Sequence, residues 1–342
     1  MAADRLQETA RHLPAPSTEK AAWSRREWLL GSLAGGAALG FSGTLSGCRA
    51  APPEETRPTL RESADDRAVS RVIPGQYTRD GAGVRLLRSI GGASLSELDP
   101  FLLLDEFHTD RADDYLAGFP EHPHRGFETV TYMIHGAMEH RDVLGNQGRL
   151  GPGSAQWMTA GRGIIHSEMP QQQQGLLWGF QLWVNLPARL KLTRPRYQDI
   201  GRERVPEFAS GDAQVRLVAG RLRGKTGPVE GIVVNPTMLD ITLPAAGAFR
   251  EPMPREHTVF AYVTAGDVKF GRSSQRIEAP ALCVLERGTQ VSAQSTSGGR
   301  LLVLAAAPLG EPIARSGPFV MNTHAELQQA WQDYRSGRLL GG

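Results

Sequence analysis

From residue 84 to residue 306 the apolar residues come in short runs, each closed by Gly, Pro, Asn or a charged group, at a spacing that suits strands rather than helices. The runs fall at 84–90, 101–107, 128–134, 176–185, 215–219, 231–234, 238–243, 258–263, 281–285 and 301–306. With 39 glycines and 23 prolines to make the turns, this pattern predicts an all-β sandwich or barrel. Helical periodicity is confined to the end of the chain, where Thr323 can cap a helix over 324–335 and Glu326 can close a capping box. The proline-bearing text from Leu186 to Pro206 separates two stretches of similar strand density, so two antiparallel β-barrels are expected, at 70–195 and 196–342.

The second stretch is a degenerate echo of the first. Glu256-His257-Thr258-Val259, followed by Tyr262-Val263-Thr264-Ala265-Gly266, parallels Glu128-Thr129-Val130-Thr131-Tyr132 followed by Ile134-His135-Gly136. The echo lacks a histidine pair that precedes the first copy. Chemistry is therefore expected in the first barrel, and scaffolding in the second.

That pair is His122-Pro123-His124. In extended backbone, side chains at i and i+2 share a face, and the intervening proline keeps the backbone extended. Forty-two residues beyond His124, His166-Ser167-Glu168 repeats the spacing. Two strand-borne pairs facing each other would give three nitrogens and one oxygen to a single divalent ion. Imidazole favours Fe, Cu, Ni or Zn, and a sulfur-rich structural zinc site would need cysteines that the chain lacks. Four ligands on an octahedral ion would leave two adjacent positions, for a bidentate substrate or for dioxygen and a substrate oxygen together.

Other candidates rank lower. His135 has the opposite parity and should face outward. Glu128 has the right parity if the strand is continuous, so it is a lesser candidate as ligand or as acceptor beside one. His140 reads as the polar end of a hairpin leading to Gly145-Asn146, and His108, His257 and His324 have no partner at ligand spacing.

The formal charge is +2, and residues outside 1–48 hold 33 basic against 32 acidic groups, which leaves no electrostatic footprint for nucleic acid. With two cysteines, Cys48 and Cys283, there is no disulfide framework, and Cys283 lies in an apolar run that reads as core. Residues 24–30, Ser-Arg-Arg-Glu-Trp-Leu-Leu, resemble a bacterial twin-arginine export signal carried by Arg25 and Arg26. Leu45-Ser46-Gly47-Cys48 resembles a lipobox, which would make Cys48 a lipid anchor. The expectation is a signal over 1–48, a flexible tether over 49–69, and a periplasmic protein or envelope lipoprotein.

His122-Pro123-His124-Arg125-Gly126-Phe127-Glu128-Thr129-Val130-Thr131-Tyr132, Gln156-Trp157-Met158-Thr159-Ala160-Gly161 and Gly163-Ile164 with His166-Ser167-Glu168-Met169-Pro170 together resemble the pirin family. The likeness runs from Asp99-Pro100-Phe101 to Gly317-Pro318-Phe319-Val320-Met321-Asn322-Thr323. It implies a bicupin of jelly-roll type and one mononuclear divalent metal, Fe(II) first, with Cu, Ni, Mn or Zn as alternatives. It also carries the family's four ligands onto His122, His124, His166 and Glu168. Arg141-Asp142-Val143-Leu144 departs from the family after the hairpin histidine, and an export signal is foreign to typical pirins.

The resemblance implies activity like that of quercetin 2,3-dioxygenase, in which dioxygen opens a flavonol ring and carbon monoxide leaves, with Glu168 taking the 3-hydroxyl proton. The alternatives are a non-catalytic metal-binding regulator and a bicupin acting on another enolic or phenolic molecule. Partners are then a small molecule and dioxygen, no nucleic acid, and a monomeric state. Phe127, Tyr132, Trp157, Trp178 and Trp183 are the aromatics that could wall such a pocket.

Overall fold

The structure is a computed structural model that describes residues 63–234, 236–273 and 275–341. Arg25, Arg26 and Cys48, with the whole expected signal, lie outside the described residues.

Each barrel is built on one large antiparallel sheet. In the first, the order is Arg196–Ile200, Ala155–Thr159, Phe127–His135, Leu177–Asn185, Phe101–Thr109, Val84–Ile90 and Gln76–Asp80. A four-stranded sheet completes this barrel, ordered Phe119–His124, Ile164–Pro170, Met138–Asp142 and Gln147–Leu150. The second barrel repeats the path with Val69–Ile73, Ala281–Leu285, Thr258–Phe270, Gly299–Ala306, Thr237–Leu243, Ala213–Ala219 and Glu207–Ser210. Its strand Thr258–Phe270 is long enough to serve both sheets, pairing at its far end with Arg276–Glu278 and Gln290–Gln294.

The two large sheets pack on each other, so their central strands are buried on both faces and read as nearly continuous apolar text rather than as alternation. Val130, Tyr132, Phe180 and Leu182 of the first sheet share a core with Phe260, Tyr262, Leu302 and Leu304 of the second. Phe101 and Phe260 meet edge to face at 4.9 Å. The strand register places Tyr132, Phe180 and Glu106 in one row and Tyr262, Leu302 and Asp240 in its counterpart. Across the interface each tyrosine reaches the other row's carboxylate: Tyr132 Oη donates to Asp240 Oδ2 at 2.6 Å, and Tyr262 Oη to Glu106 Oε2 at 2.7 Å.

The barrels exchange border strands. Val69–Ile73 pairs with Ala281–Leu285 of the second barrel, and Arg196–Ile200 with Ala155–Thr159 of the first. The limit at 70 therefore falls inside a strand that serves the second barrel, and Arg196–Ile200, just beyond the limit at 195/196, pairs with the first. The expected tether over 49–69 is, in its described part, docked: Asp66 and Arg67 are buried, and Arg67 donates to the carbonyls of Glu286, Pro254 and Arg255.

The chain end also crosses over. The hairpin Ala314–Ser316/Phe319–Met321 and the helix His324–Arg335 return to the first barrel, where Arg125 pairs with Phe319 through a backbone bridge and with Asp333 at 2.8 Å. The helix carries the expected cap: Thr323 Oγ1 accepts from Glu326 N, and Glu326 Oε2 accepts from Thr323 N. Cys283 is buried in the second barrel's core. The run at 231–234 is a turn instead of a strand; Val234 plugs the shared core without joining a ladder, and Pro236 follows.

Candidate metal centre

The two histidine-bearing segments are neighbouring strands. Phe119–His124 pairs antiparallel with Ile164–Pro170, with His122 opposite His166 and His124 opposite Ile164. Because Phe119–His124 is the edge strand of its sheet, Pro120 and Pro123 cost no ladder bonds that matter. Gly126 then turns the chain into the other sheet at φ +91°, and a Cβ there would lie 1.9 Å from the Val320 carbonyl oxygen.

The ring centroids of His122, His124 and His166 are 4.7, 4.5 and 5.1 Å apart, and one ring nitrogen from each lies within 4.8 Å of the others. His122 Nδ1 donates to the Pro120 carbonyl at 2.8 Å, which leaves Nε2 as its lone-pair nitrogen. His124 and His166 are buried, and none of their four ring nitrogens has a hydrogen-bond partner. Such orphaned groups cost about 1–3 kcal/mol each unless something binds them. Burial first, then the neighbouring imidazoles, holds both pKa values well below the usual histidine range. They are neutral at physiological pH, the form a metal requires. Three imidazoles with a carboxylate nearby fit a divalent transition ion.

Glu168 faces the same cavity, but its carboxylate stands outside the three-nitrogen cluster. A register shift follows His166, and the carboxylate is drawn towards the large sheet: Thr131 Oγ1 donates to Oε1 at 2.7 Å, and Gln181 Nε2 to Oε2 at 3.3 Å. Three of the four expected ligands are thus assembled, with the fourth beside them on a polar cradle. Neither Thr131 nor Gln181 was singled out from sequence. The signal was the parity of Thr131 with Phe127, and a lone glutamine in the apolar run 176–185.

Two further histidines lie near the site in sequence and are placed apart from the cluster. His135 is exposed, as its parity implies. His140 is buried, with Nε2 3.1 Å from Asp199 Oδ2 and its ring stacked on Tyr197. Glu128 is buried on the opposite face, accepting from Thr159 Oγ1 at 2.7 Å, because the turn at Gly126 resets the parity. Its candidacy as a ligand ends there.

The cavity in front of the histidines measures about 590 Å³ and has apolar walls from Leu86, Leu103, Phe107, Phe119, Met138 and Trp183. Of the five candidate aromatics, Trp183 lines it, and Phe127 packs on both Trp183 (4.2 Å) and His124 (5.1 Å). Tyr132 and Trp157 are in the shared core, while Trp178 stacks on His108 at 4.3 Å and donates to Glu106. The returning chain end supplies Arg315, Gly317 and Pro318 to the rim. Beneath it, buried Lys191 uses all three of its N–H groups on Gly126 O, Asn185 Oδ1 and Val320 O, and burial pulls its pKa down to about 8. In the second barrel the equivalent strands Ala248–Pro252 and Gln290–Gln294 place Phe249, Val291 and Ala293 in a packed core.

Comparison with known proteins gives consistent matches. The pirin family model matches residues 83–184, and the pirin C-terminal cupin domain matches 238–340. A pirin-like protein of Caulobacter vibrioides is 46% identical over 274 residues, covering 80% of this chain and 99% of its own length. Human pirin is 41% identical over 278 residues, covering 80% and 93%. A crystal structure of quercetin 2,3-dioxygenase from Acinetobacter baumannii superposes with a TM-score of 0.74 at 31% identity, covering 80% of this chain and 98% of that one.

Proposed function

This chain belongs to the pirin family, and on that premise we propose that its first barrel is a metal-dependent dioxygenase that cleaves flavonols such as quercetin across the 2,3 bond and releases carbon monoxide. The observation that carries the reading is the convergence of three imidazoles, the buried pair His124 and His166 having no hydrogen-bond partner, in an apolar-walled cavity of about 590 Å³, with a hydrogen-bonded carboxylate beside them. His122, His124, His166 and Glu168 would hold the ion, for which Fe(II) is the first candidate. When bound, the ion supplies Lewis acidity and the one-electron chemistry that dioxygen requires.

The rest is done by side chains. Trp183, Phe107 and Leu103 form apolar walls suited to flat rings. Glu168 accepts the flavonol 3-hydroxyl proton on a carboxylate oxygen. The Thr131 hydroxyl, also 2.7 Å from Gln181 Oε1, has a single proton and gives it to the carboxylate, the stronger acceptor. Together Thr131 and Gln181 fix the orientation of the base.

Residues 1–48 are proposed as a twin-arginine signal using Arg25 and Arg26, with Cys48 lipidated and the protein a monomer at a bacterial envelope. Plant flavonols would meet it there. The deciding experiment follows aerobic loss of the quercetin absorbance band with metal-loaded protein beside His166→Ala. Metal-dependent loss with carbon monoxide evolved supports the reading. No loss at a metal content near one per chain refutes it, and leaves a regulator or another enolic substrate.

A further inference from the structure

Two cationic side chains line the metal cavity, and they differ in what they already hold. Arg88 is consumed: Nε and Nη2 grip both oxygens of Asp105 at 2.8 and 2.7 Å, and Nη2 also meets Asp80 at 2.8 Å. Arg315 is not. Its Nη1 donates to the Leu102 carbonyl at 3.1 Å, and it forms no ion pair with any described residue. The guanidinium lies 4.7 Å over the Trp183 ring, whose centroid is 5.3 Å from that of His124. It therefore stands within about 10 Å of the histidine cluster, over an aromatic wall. Of the cavity's carboxylates, Asp80 and Asp105 are taken by Arg88, Glu168 is cradled by Thr131 and Gln181, and Glu121 is exposed.

A fork of N–H donors over an aromatic ring, with no ion-pair partner among the described residues, recognises carboxylate geometry. We infer that Arg315 is the anion-binding residue of this cavity, and that the preferred substrate carries a carboxylate about one aromatic ring away from its metal-seeking oxygens. The inference rests on the proposed reading of the cavity as a metal-dependent small-molecule site. It narrows the substrate from any planar enol or phenol to an acidic one, so that quercetin, which has no carboxylate, would be turned over less well than an acidic relative. It also gives the second barrel a part in recognition, since Arg315 arrives on that barrel's returning chain end.

The test compares two catechols that differ in charge, 3,4-dihydroxybenzoate and 4-methylcatechol, titrated into the metal-loaded full chain and followed by tryptophan fluorescence. The wild-type protein should bind the carboxylate about tenfold more tightly, equivalent to about 1.4 kcal/mol. Arg315→Met keeps a flexible apolar chain over Trp183 and should erase the preference while leaving 4-methylcatechol affinity and metal content unchanged. Arg315→Lys should retain part of the preference, and added salt should weaken it in the wild type. Equal affinity for the two probes in the wild type, or a preference that survives Arg315→Met, overturns the assignment to Arg315. Failure of both probes to bind metal-loaded protein overturns the site reading itself, and this inference with it.

Discussion

Replacing Tyr262 with phenylalanine should cost more stability than the same change at Tyr132, although the two hydroxyls occupy equivalent places in the paired sheets. Tyr132 serves Asp240, which keeps Arg300 on both oxygens at 2.9 and 2.6 Å when the hydroxyl is gone. Arg216, which donates to Tyr132 Oη, keeps Glu207 and the Gly153 carbonyl. Tyr262 serves Glu106, which has no arginine or lysine: it would retain the Trp178 N–H alone, and nearby His108 is held neutral by burial. Both hydroxyls donate to carboxylates, bonds that contribute about 1.5–3 kcal/mol, but Asp240 keeps two guanidinium bonds while Glu106 keeps one indole N–H, so Tyr262→Phe should cost about 2–3 kcal/mol and Tyr132→Phe about 1.5. Burial raises the Glu106 pKa above its unfolded value. A carboxyl raised in this way contributes stability that is full below its unfolded pKa and is lost as pH rises through the folded one. Losing Tyr262 raises the folded pKa further, so the deficit of that variant should widen with rising pH. Urea unfolding of both variants across pH 5 to 8, with m unchanged, measures this. An equal or larger loss for Tyr132→Phe, or a gap that narrows with pH, would refute the reasoning.

Other changes address the site and the address. His124→Ala and His166→Ala should each lose the bound metal while keeping the β-sheet circular dichroism of the parent, since neither residue belongs to a main core; metal analysis decides it. Glu168→Gln should reduce flavonol cleavage by at least a hundredfold with a smaller loss of metal, and full activity would remove Glu168 as base. Gly126→Ala, with its Cβ driven against the Val320 carbonyl, should lower stability by 2 kcal/mol or more on the scale of strained backbone sites and reduce metal affinity; a neutral result would show that the turn can shift. Changing Arg25 and Arg26 together to lysine should leave the protein in the cytoplasm on fractionation, whereas normal export would rule out the twin-arginine route.

The parts of this fold legible in sequence were those with a local cause. The strands Val84–Ile90 and Ala281–Leu285 and the helix His324–Arg335 stand where apolar spacing and capping put them. The three histidines were legible because alternation along a strand is a local rule. The place of Glu128 stayed open in sequence because parity survives only while a strand stays in one sheet, and the turn at Gly126 ends that continuity. The border strands could not be assigned, because an edge strand's partner is chosen by backbone hydrogen bonds far along the chain. Arg315 was invisible for the same reason: 149 residues separate it from His166, and only the return of the chain end brings it to the cavity.

The exchange of border strands means that the two halves of this chain cannot be treated as separable modules. A fragment ending near residue 195 would keep all three histidines yet lose Arg196–Ile200 from its large sheet, the Val320 carbonyl that anchors Lys191, and the rim from Arg315 to Pro318. The complementary fragment would lack Val69–Ile73 and expose an unpaired edge at Ala281–Leu285. The barrel without the histidine pair is bound to the other by mutual loan, and deleting it would dismantle a pocket in which it has no metal site of its own.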